Sequence, residues 1–249
     1  MKIGILGVGF IGETLVRKLS AAGHDIRVAN SRGPETLKDL AGQTGATAVT
    51  TAEALQGIDA VILSIPLNKM PPLKALLTDV PADVAIIDTS NYYPLRDGHI
   101  AALDEGQVES AWVAEQIGRP VTKAWNAVLA GTLRKNGKAK GEAGRTAIPV
   151  AGDDEAAKRI ALDLVEATGF DAVDAGGIAE SWRLQTGSPA YCTEPTVEEL
   201  KLALAKADKA AGPLRRDAGM AVVLTFGDDY NNEDLLRVNR AATRFHRLQ

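Results

Sequence analysis

Gly7, Gly9 and Gly12 carry the first chemistry legible in this chain, set in the run Leu6-Gly7-Val8-Gly9-Phe10-Ile11-Gly12. The five residues before them, Lys2–Leu6, are apolar and β-compatible, as a strand buried on both faces should be. The residues after them read as a helix. At such a strand-to-helix junction the first glycine permits a tight turn and the second admits a pyrophosphate to the backbone. The third lets helix and strand pack closely. The helix N-terminus, with Phe10 and Ile11 beside it, then offers free N–H groups to an anion. The expected ligand is a dinucleotide.

The tip of the second strand selects which one. An NAD site places an Asp or Glu about 20 residues beyond the glycines, on the ribose hydroxyls. Here residues 26–29 end in Asn30-Ser31-Arg32-Gly33-Pro34, without a carboxylate. A 2′-phosphate would be repelled by a carboxylate, whereas Ser31 can donate to it and Arg32 can form a charge-assisted pair. Ser31 also reads as a helix N-cap with Pro34 in the first turn, and the two roles are compatible. NADP(H) is the expected cofactor.

Sites in doubly wound sheets lie at the carboxyl ends of the strands. The fourth strand, 60–65, ends in Ser64-Ile65-Pro66, placed to line the cofactor. The fifth, 84–88, runs into Asp88-Thr89-Ser90-Asn91-Tyr92-Tyr93-Pro94, and the sixth, 121–125, carries Lys123-Ala124-Trp125-Asn126. Lys123, Asn126 and Tyr92 are the candidate catalytic residues. Asn91, Lys123 and Asn126 would orient an acceptor or the carboxamide. Tyr92 or Lys123 would supply a proton if a carbonyl were reduced. The competing account makes all three ends ordinary turns, since Asn, Ser, Thr and Pro favour them. No Ser-Tyr-Lys or His-Asp pair stands out, although carbonyl reduction near neutral pH needs a placed proton donor.

Positioning these residues requires strands that alternate with helices. Further strands are expected at 46–49, 146–150 and 172–174, with helices at 51–56, 67–77, 108–117 and 154–168. That order implies right-handed crossovers and a doubly wound, mostly parallel α/β sheet, a Rossmann NAD(P)-binding fold. Residues 131–145, rich in Gly and Lys, read as a mobile basic loop without core residues. Beyond Gly176 the strand signal stops. Helices are expected at 178–184 and 196–211, the second opening on Thr196-Val197-Glu198-Glu199 as a capping box. Residues 220–226 read as a short strand and 227–236 as a closing helix. The expected domains are an NADP-binding domain, 1–176, and a helical extension, 177–249, packed on it. Ile178, Trp182, Leu184, Val197, Leu200, Leu202 and Leu204 have helical apolar spacing outside the completed sheet. They must pack on the sheet's helices, on the C-terminal tail or on a second copy of the chain. Since homo-oligomers most often pair by a two-fold axis, a homodimer is the expectation.

Composition supports an enzyme and excludes other classes. The 249 residues are 45% hydrophobic and 24% charged, as in ordinary globular chains. A net charge of −4 gives no reason to expect nucleic acid or an anionic membrane as partner. Cys192 is the only cysteine, and His24, His99 and His246 lack ligand spacing, so neither a disulfide nor a metal is expected. The first core strand begins at Lys2, and cleaving it as a signal peptide would destroy the glycine fingerprint, so none is expected. No apolar run approaches the roughly 20 residues that span a bilayer. A cytoplasmic protein acting on a small redox partner is expected.

Together the motifs resemble the NADPH-dependent oxidoreductases related to coenzyme F420-dependent NADP reductase. A more distant relative is the oxidoreductase domain of vertebrate membrane metalloreductases. The matching features are the glycine turn, Asn30-Ser31-Arg32, Ser64-Ile65-Pro66, Lys123-Ala124-Trp125-Asn126, Pro149-Val150-Ala151-Gly152-Asp153-Asp154 and Asp174-Ala175-Gly176-Gly177, in order over residues 1 to about 185. The resemblance implies NADP(H) held by the glycine turn and by Ser31 and Arg32, a small C-terminal part, and pairing as a dimer. It also implies hydride transfer between NADPH and a flavin or deazaflavin. The chain departs from the family after the sixth strand, at 126–129 and the basic segment, and its tail beyond Gln185 is longer. Two other functions fit the residues: reduction of a small carbonyl or imine, and a redox-sensing NADP-binding regulator without turnover.

Overall fold

Short Val, Ile and Leu runs, apolar on both faces, become the strands of a parallel sheet. The computed structural model describes residues 1–245, so His246 lies outside the described residues. Strands β1 (Lys2–Leu6), β2 (Asp25–Ala29), β3 (Thr47–Ala48), β4 (Ala60–Leu63), β5 (Ala85–Asp88) and β6 (Thr122–Lys123) pair in parallel in the order β3-β2-β1-β4-β5-β6. Helices α1 (Phe10–Ala21), α2 (Lys38–Thr44) and α3 (Thr51–Ala54) link the first four strands, and α4 (Leu73–Leu77), α5 (Pro94–Asp97), α6 (Ala101–Asp104) and α7 (Glu109–Ile117) link the rest. Successive strand residues face opposite sides. Ile62 and Ile87 therefore enter one core with Leu15, Leu19 and Trp125, while Val61, Leu63 and Ile86 enter the other with Leu77 and Trp112. The order reverses between β1 and β4, so the carboxyl ends of these strands open the crevice in which such sheets bind ligands. The architecture is the doubly wound Rossmann fold with a helical C-terminal region.

Beyond β6 the chain departs from a single continuous sheet. After α8 (Ala130–Lys135), strands β7 (Ala147–Val150) and β8 (Asp171–Asp174), joined by α9 (Glu155–Ala167), form their own parallel pair. One antiparallel bridge, Lys123 with Ala151, attaches that pair to the main sheet. Three helices follow, α10 (Val197–Ala205), α11 (Ala211–Thr225) and α12 (Asn232–Thr243). Among the described residues no helix is long and apolar enough to cross a membrane.

Several local expectations change. Pro71 and Pro72 split the fourth crossover into a 3-10 turn, Leu67–Lys69, followed by α4. The segment Ile178–Leu184 is also 3-10. Residues 220–226 form no strand, because α11 runs through them to Thr225. The closing helix starts later than expected, at an Asn231 cap whose side chain accepts from the Glu233 and Asp234 N–H groups. Ile178, Leu184 and Leu200 turn inward, whereas α11, an apolar helix of 15 residues, buries none of them.

The basic segment is not a bare loop. It begins as α8, whose Leu133 is fully buried in the core beside α1. Arg145 is buried as well, donating to Glu166 at 2.9 Å and to Asp171. Its charge ties α9 to β8 and is not offered to solvent. Arg145→Met leaves two carboxylates facing each other with only the exposed Lys140, 3.7 Å from Glu166, as a cation. The expected loss in urea unfolding is about 2–3 kcal/mol, and a loss below about 0.5 kcal/mol would return the segment to a solvated loop.

Candidate functional site

The three glycines of the turn serve different masters. A Cβ on Gly7 (φ +98°) would meet the Ser64 carbonyl oxygen at 2.2 Å, and one on Gly12 would meet the Gly7 oxygen at 2.1 Å. Those two are demanded by the protein's own packing. A Cβ on Gly9 would meet nothing within 4 Å, and its φ of −80° suits any residue. The bare backbone there keeps space for a ligand. Gly9 caps α1 without a side-chain bond, so the N–H groups of Phe10, Ile11 and Gly12 lack intrahelical acceptors and point outward with the positive end of the dipole.

At the tip of β2 it is Asn30 that organises the turn. Its Oδ1 accepts from the Arg32 N–H at 2.9 Å and its Nδ2 donates to Thr36 Oγ1 at 2.9 Å. The 3-10 turn Pro34–Leu37 then starts after Gly33 without a side-chain cap, so the expected Ser31 cap does not form. Ser31 and Arg32 stand exposed beside the turn.

The ends of β4, β5 and β6 close a cleft of about 340 Å³ against the glycine turn. Gly9, Phe10 and Ile11 line it, with Ser64, Ile65 and Pro66 below and Ser90, Asn91 and Asn126 at one end. A left-handed backbone at Trp125 (φ 57°), unusual for a bulky residue, bends the chain after β6 and turns Asn126 inward. Asn91 Nδ2 donates to the Asn126 carbonyl at 3.0 Å, and Asn126 Nδ2 donates to Asn91 Oδ1 at 3.1 Å and Leu184 O at 2.8 Å. With its amide nitrogen so engaged, Asn126 Oδ1 is left buried without a partner among the described residues. Ser90 Oγ is orphaned in the same way. Two orphaned groups at one end of one cleft call for a ligand that both donates and accepts.

Lys123 and Tyr92 take other places than expected. Lys123 is fully buried; its ammonium donates to Asp88 Oδ2 at 2.9 Å and to Ser90 O at 2.6 Å, so it braces the strand ends from behind. Tyr92 alternates away from its neighbour Asn91 into the core. Its hydroxyl donates to Asp104 at 2.8 Å and accepts from the Ile100 N–H at 3.0 Å. Neither side chain lines the cleft. Behind them Glu109 is buried and accepts from the Tyr92 N–H at 3.1 Å. Burial pushes its carboxyl up, against the pull of Lys123.

The phenol that does line the cleft is Tyr191, whose hydroxyl bonds to that of Tyr93. It sits among small residues, Pro189-Ala190-Tyr191-Cys192-Thr193, where no periodic pattern marks it. Burial pushes the Tyr191 and Tyr93 phenols up, so both stay protonated at neutral pH. Cys192 beside it (φ 52°) is also a cleft residue, and burial pushes its thiol up to about 12, too high for a nucleophilic thiolate.

The family described as coenzyme F420-dependent NADP oxidoreductases matches residues 2–92. The protein YjhV of Escherichia coli K12 is 38% identical over 102 residues, 41% of this chain and 74% of that protein. The chain belongs to this family. The solved structure of hypothetical protein SMa0349 of Sinorhizobium meliloti is 29% identical, with a TM-score of 0.63 over 74% of this chain and 89% of that one. A candidate F420-dependent NADP reductase of Arthrobacter sp. FB24 shares the fold at 23% identity, with a TM-score of 0.56 over 73% and 87% of the two chains. As a member of the family this chain is an NADP-dependent oxidoreductase. The open cradle at Gly9 and the orphaned pair, Ser90 and Asn126, fit the cofactor's pyrophosphate and carboxamide.

Two measurements check this geometry. Gly9→Val is expected to melt within about 2 °C of wild type yet lose NADPH binding by calorimetry, while Gly12→Val loses stability outright. Normal NADPH binding by folded Gly9→Val would remove the nucleotide from this turn. The second concerns Glu109, whose folded value lies above the unfolded one. Its contribution to stability is therefore present below the unfolded carboxyl range and lost as pH rises through the folded value. Urea unfolding from about pH 4 to 8 should show wild type weakening relative to Glu109→Gln; parallel curves would mean that Glu109 titrates normally.

Proposed function

We propose that this chain transfers a hydride between NADPH and a flavin or deazaflavin laid against the nicotinamide at the ends of β4, β5 and β6. The observation that carries the reading is the pair of orphaned polar atoms. Ser90 Oγ can donate to a carboxamide oxygen, and Asn126 Oδ1 can accept from its NH₂. Bound there, NADPH supplies a two-electron hydride donor. The chain's own part is to hold and orient. The N–H groups at Phe10 and Ile11 meet the pyrophosphate, Ser31 and Arg32 meet the 2′-phosphate, and Ser64, Ile65 and Pro66 floor the cleft. Such a transfer depends on closeness and a dry pocket more than on a protein acid. The family's description supports the deazaflavin as acceptor. On this reading residues 1–176 bind the nucleotide, and the extension 177–249 completes the acceptor wall through Tyr191.

A second reading, reduction of a small carbonyl or imine, is favoured by the Tyr191 phenol, which supplies the proton donor that Tyr92 and Lys123 do not. We also propose a homodimer, now through α11, where Leu214 (74% exposed), Val222 and Leu224 have no cover among the described residues.

NADPH oxidation followed with coenzyme F420, FMN and a cyclic imine separates these readings. Ser90→Ala and Asn126→Ala should each raise the NADPH KM about three- to tenfold, the worth of one neutral hydrogen bond. NADPH binding without oxidation by any acceptor would instead indicate a sensor. Sedimentation equilibrium at micromolar concentration is expected to give twice the 26.2 kDa chain mass, reverting to that mass in Leu214→Glu/Leu224→Glu.

A further inference from the structure

Behind Tyr191 lies a second cavity, of about 220 Å³, between α11, α12 and the Tyr93 segment. Tyr93, Leu129, Tyr191, Arg215, Met220 and Val238 describe its character: aromatic and aliphatic walls with a cation. Leu129 and Tyr191 line both this cavity and the nucleotide cleft, so the two spaces meet at the phenol.

The cavity's charge is one-sided. Two arginines border it, and no carboxylate does among the described residues. Arg216 already donates to Asp217 at 2.7 Å and lies over the Tyr92 ring. Arg215 differs: its Nη1 is buried with no hydrogen-bond partner among the described residues. Its other side borders a hollow containing Glu199, but that carboxylate is held by the Thr196 N–H at 2.8 Å in the cap of α10. A buried guanidinium nitrogen left without a partner costs free energy that an anion would recover. The volume is below the roughly 300 Å³ of common ligand sites, so it takes a small acceptor, or one end of a larger one whose remainder lies in the cleft.

We propose that this cavity is the acceptor's compartment and that the acceptor enters as an anion. Its carboxylate or phosphate rests on Arg215 and its reducible end meets Tyr191, whose phenol donates the proton. The inference rests on the NADPH-dependent transfer proposed above. The acceptor carbon gains a C–H bond with the hydride's electron pair, and the π pair of an imine C=N, or that of a deazaflavin's conjugated C=C–C=N, shifts so that the pair ends on nitrogen. The Tyr191 O–H then breaks as its proton passes to that nitrogen, the phenolate takes the Tyr93 hydroxyl proton, and Tyr93 regains one from water. NADPH is oxidised by two electrons and the acceptor is reduced by two. Two sources share this chemistry, a deazaflavin with its acidic tail and a small cyclic imino acid.

The experiment pairs each anion with an uncharged counterpart: coenzyme F420 with its deazaflavin core, and 1-pyrroline-2-carboxylate with 1-pyrroline. Affinities for the NADP⁺-loaded protein come from fluorescence quenching or calorimetry, and rates from NADPH oxidation. One pair is expected to show at least a tenfold preference for the anion, which names the source, and Arg215→Gln should abolish that preference. Tyr191→Phe should lower kcat tenfold or more with NADPH affinity and melting temperature unchanged, and Tyr93→Phe should lower it less. Absence of anion preference in both pairs, its survival in Arg215→Gln, or an unchanged kcat in Tyr191→Phe each overturns the proposal. A folded wild type that fails to bind NADPH overturns the transfer reading itself.

Discussion

The buried pair between Asp88 and Lys123 is the interaction on which the rest of the cleft depends. These residues are register partners at the last rung of β5 and β6. Their side chains meet at 2.9 Å with no exposure to solvent. Around them Asp88 also accepts from the Ser90 N–H at 2.8 Å and the Ser110 hydroxyl at 3.0 Å, while Lys123 donates to the Ser90 carbonyl. Ser90 is thereby clamped through both backbone groups, and its hydroxyl is left to the cleft. Lys123's backbone makes the two bonds to Ala151 that attach the second sheet. A single residue thus anchors the cleft, the main sheet and the β7–β8 pair.

Such a pair is weak evidence for stability as such, because desolvating two charges offsets much of their attraction. Its value here is geometric. β6 has only two residues and could slip in register without it. A slip by one residue would present the neighbouring side chain in place of Asn126 and dismantle the Asn91–Asn126 contact. Glu109, buried nearby and pushed toward its neutral form, keeps the enclosed charges close to balanced. Lys123 is thus a positioning residue, and its burial explains how a lysine can matter at a strand end without touching the chemistry.

The nucleotide half was legible because local rules and global fold agree there. A glycine turn between a buried strand and a helix has one good three-dimensional solution, and β1, α1 and β2 adopt it. The second half was harder for identifiable reasons. Alternation at a strand end decides which side chain faces the cleft, so Asn91 and Tyr92 diverge although they are neighbours, and no composition argument separates them. Lys123 carried the right residue type in the right place, but burial depth is not written in a sequence. Arg145 looked like one more basic residue in a polar run because its partners, Glu166 and Asp171, lie 21 and 26 residues away. Tyr191 had no pattern at all: it owes its position to a left-handed turn at Cys192 and a bond to a residue 98 positions earlier.

The nucleotide cleft and the cavity proposed for the acceptor also differ in how firmly they are built. The donor side rests on strands whose side chains are almost wholly buried and on glycines that tolerate no added carbon at Gly7 or Gly12. The cavity proposed for the acceptor rests on α11 and α12, of which, among the described residues, the first buries no residue and the second buries only Leu236 and Thr243. Few buried contacts mean low local stability, the usual property of elements that admit or adapt to a ligand. A nicotinamide must be placed to within a fraction of an ångström for hydride transfer, and a rigid sheet does that well. An acceptor must enter, react and leave, and a thinly packed helical wall permits it. The same thin packing exposes the apolar face of α11, so whatever covers that face also sets how far the acceptor wall can move. On the proposed reading, assembly and acceptor binding are linked through one helix, and the acceptor cavity meets the nucleotide cleft at Leu129 and Tyr191.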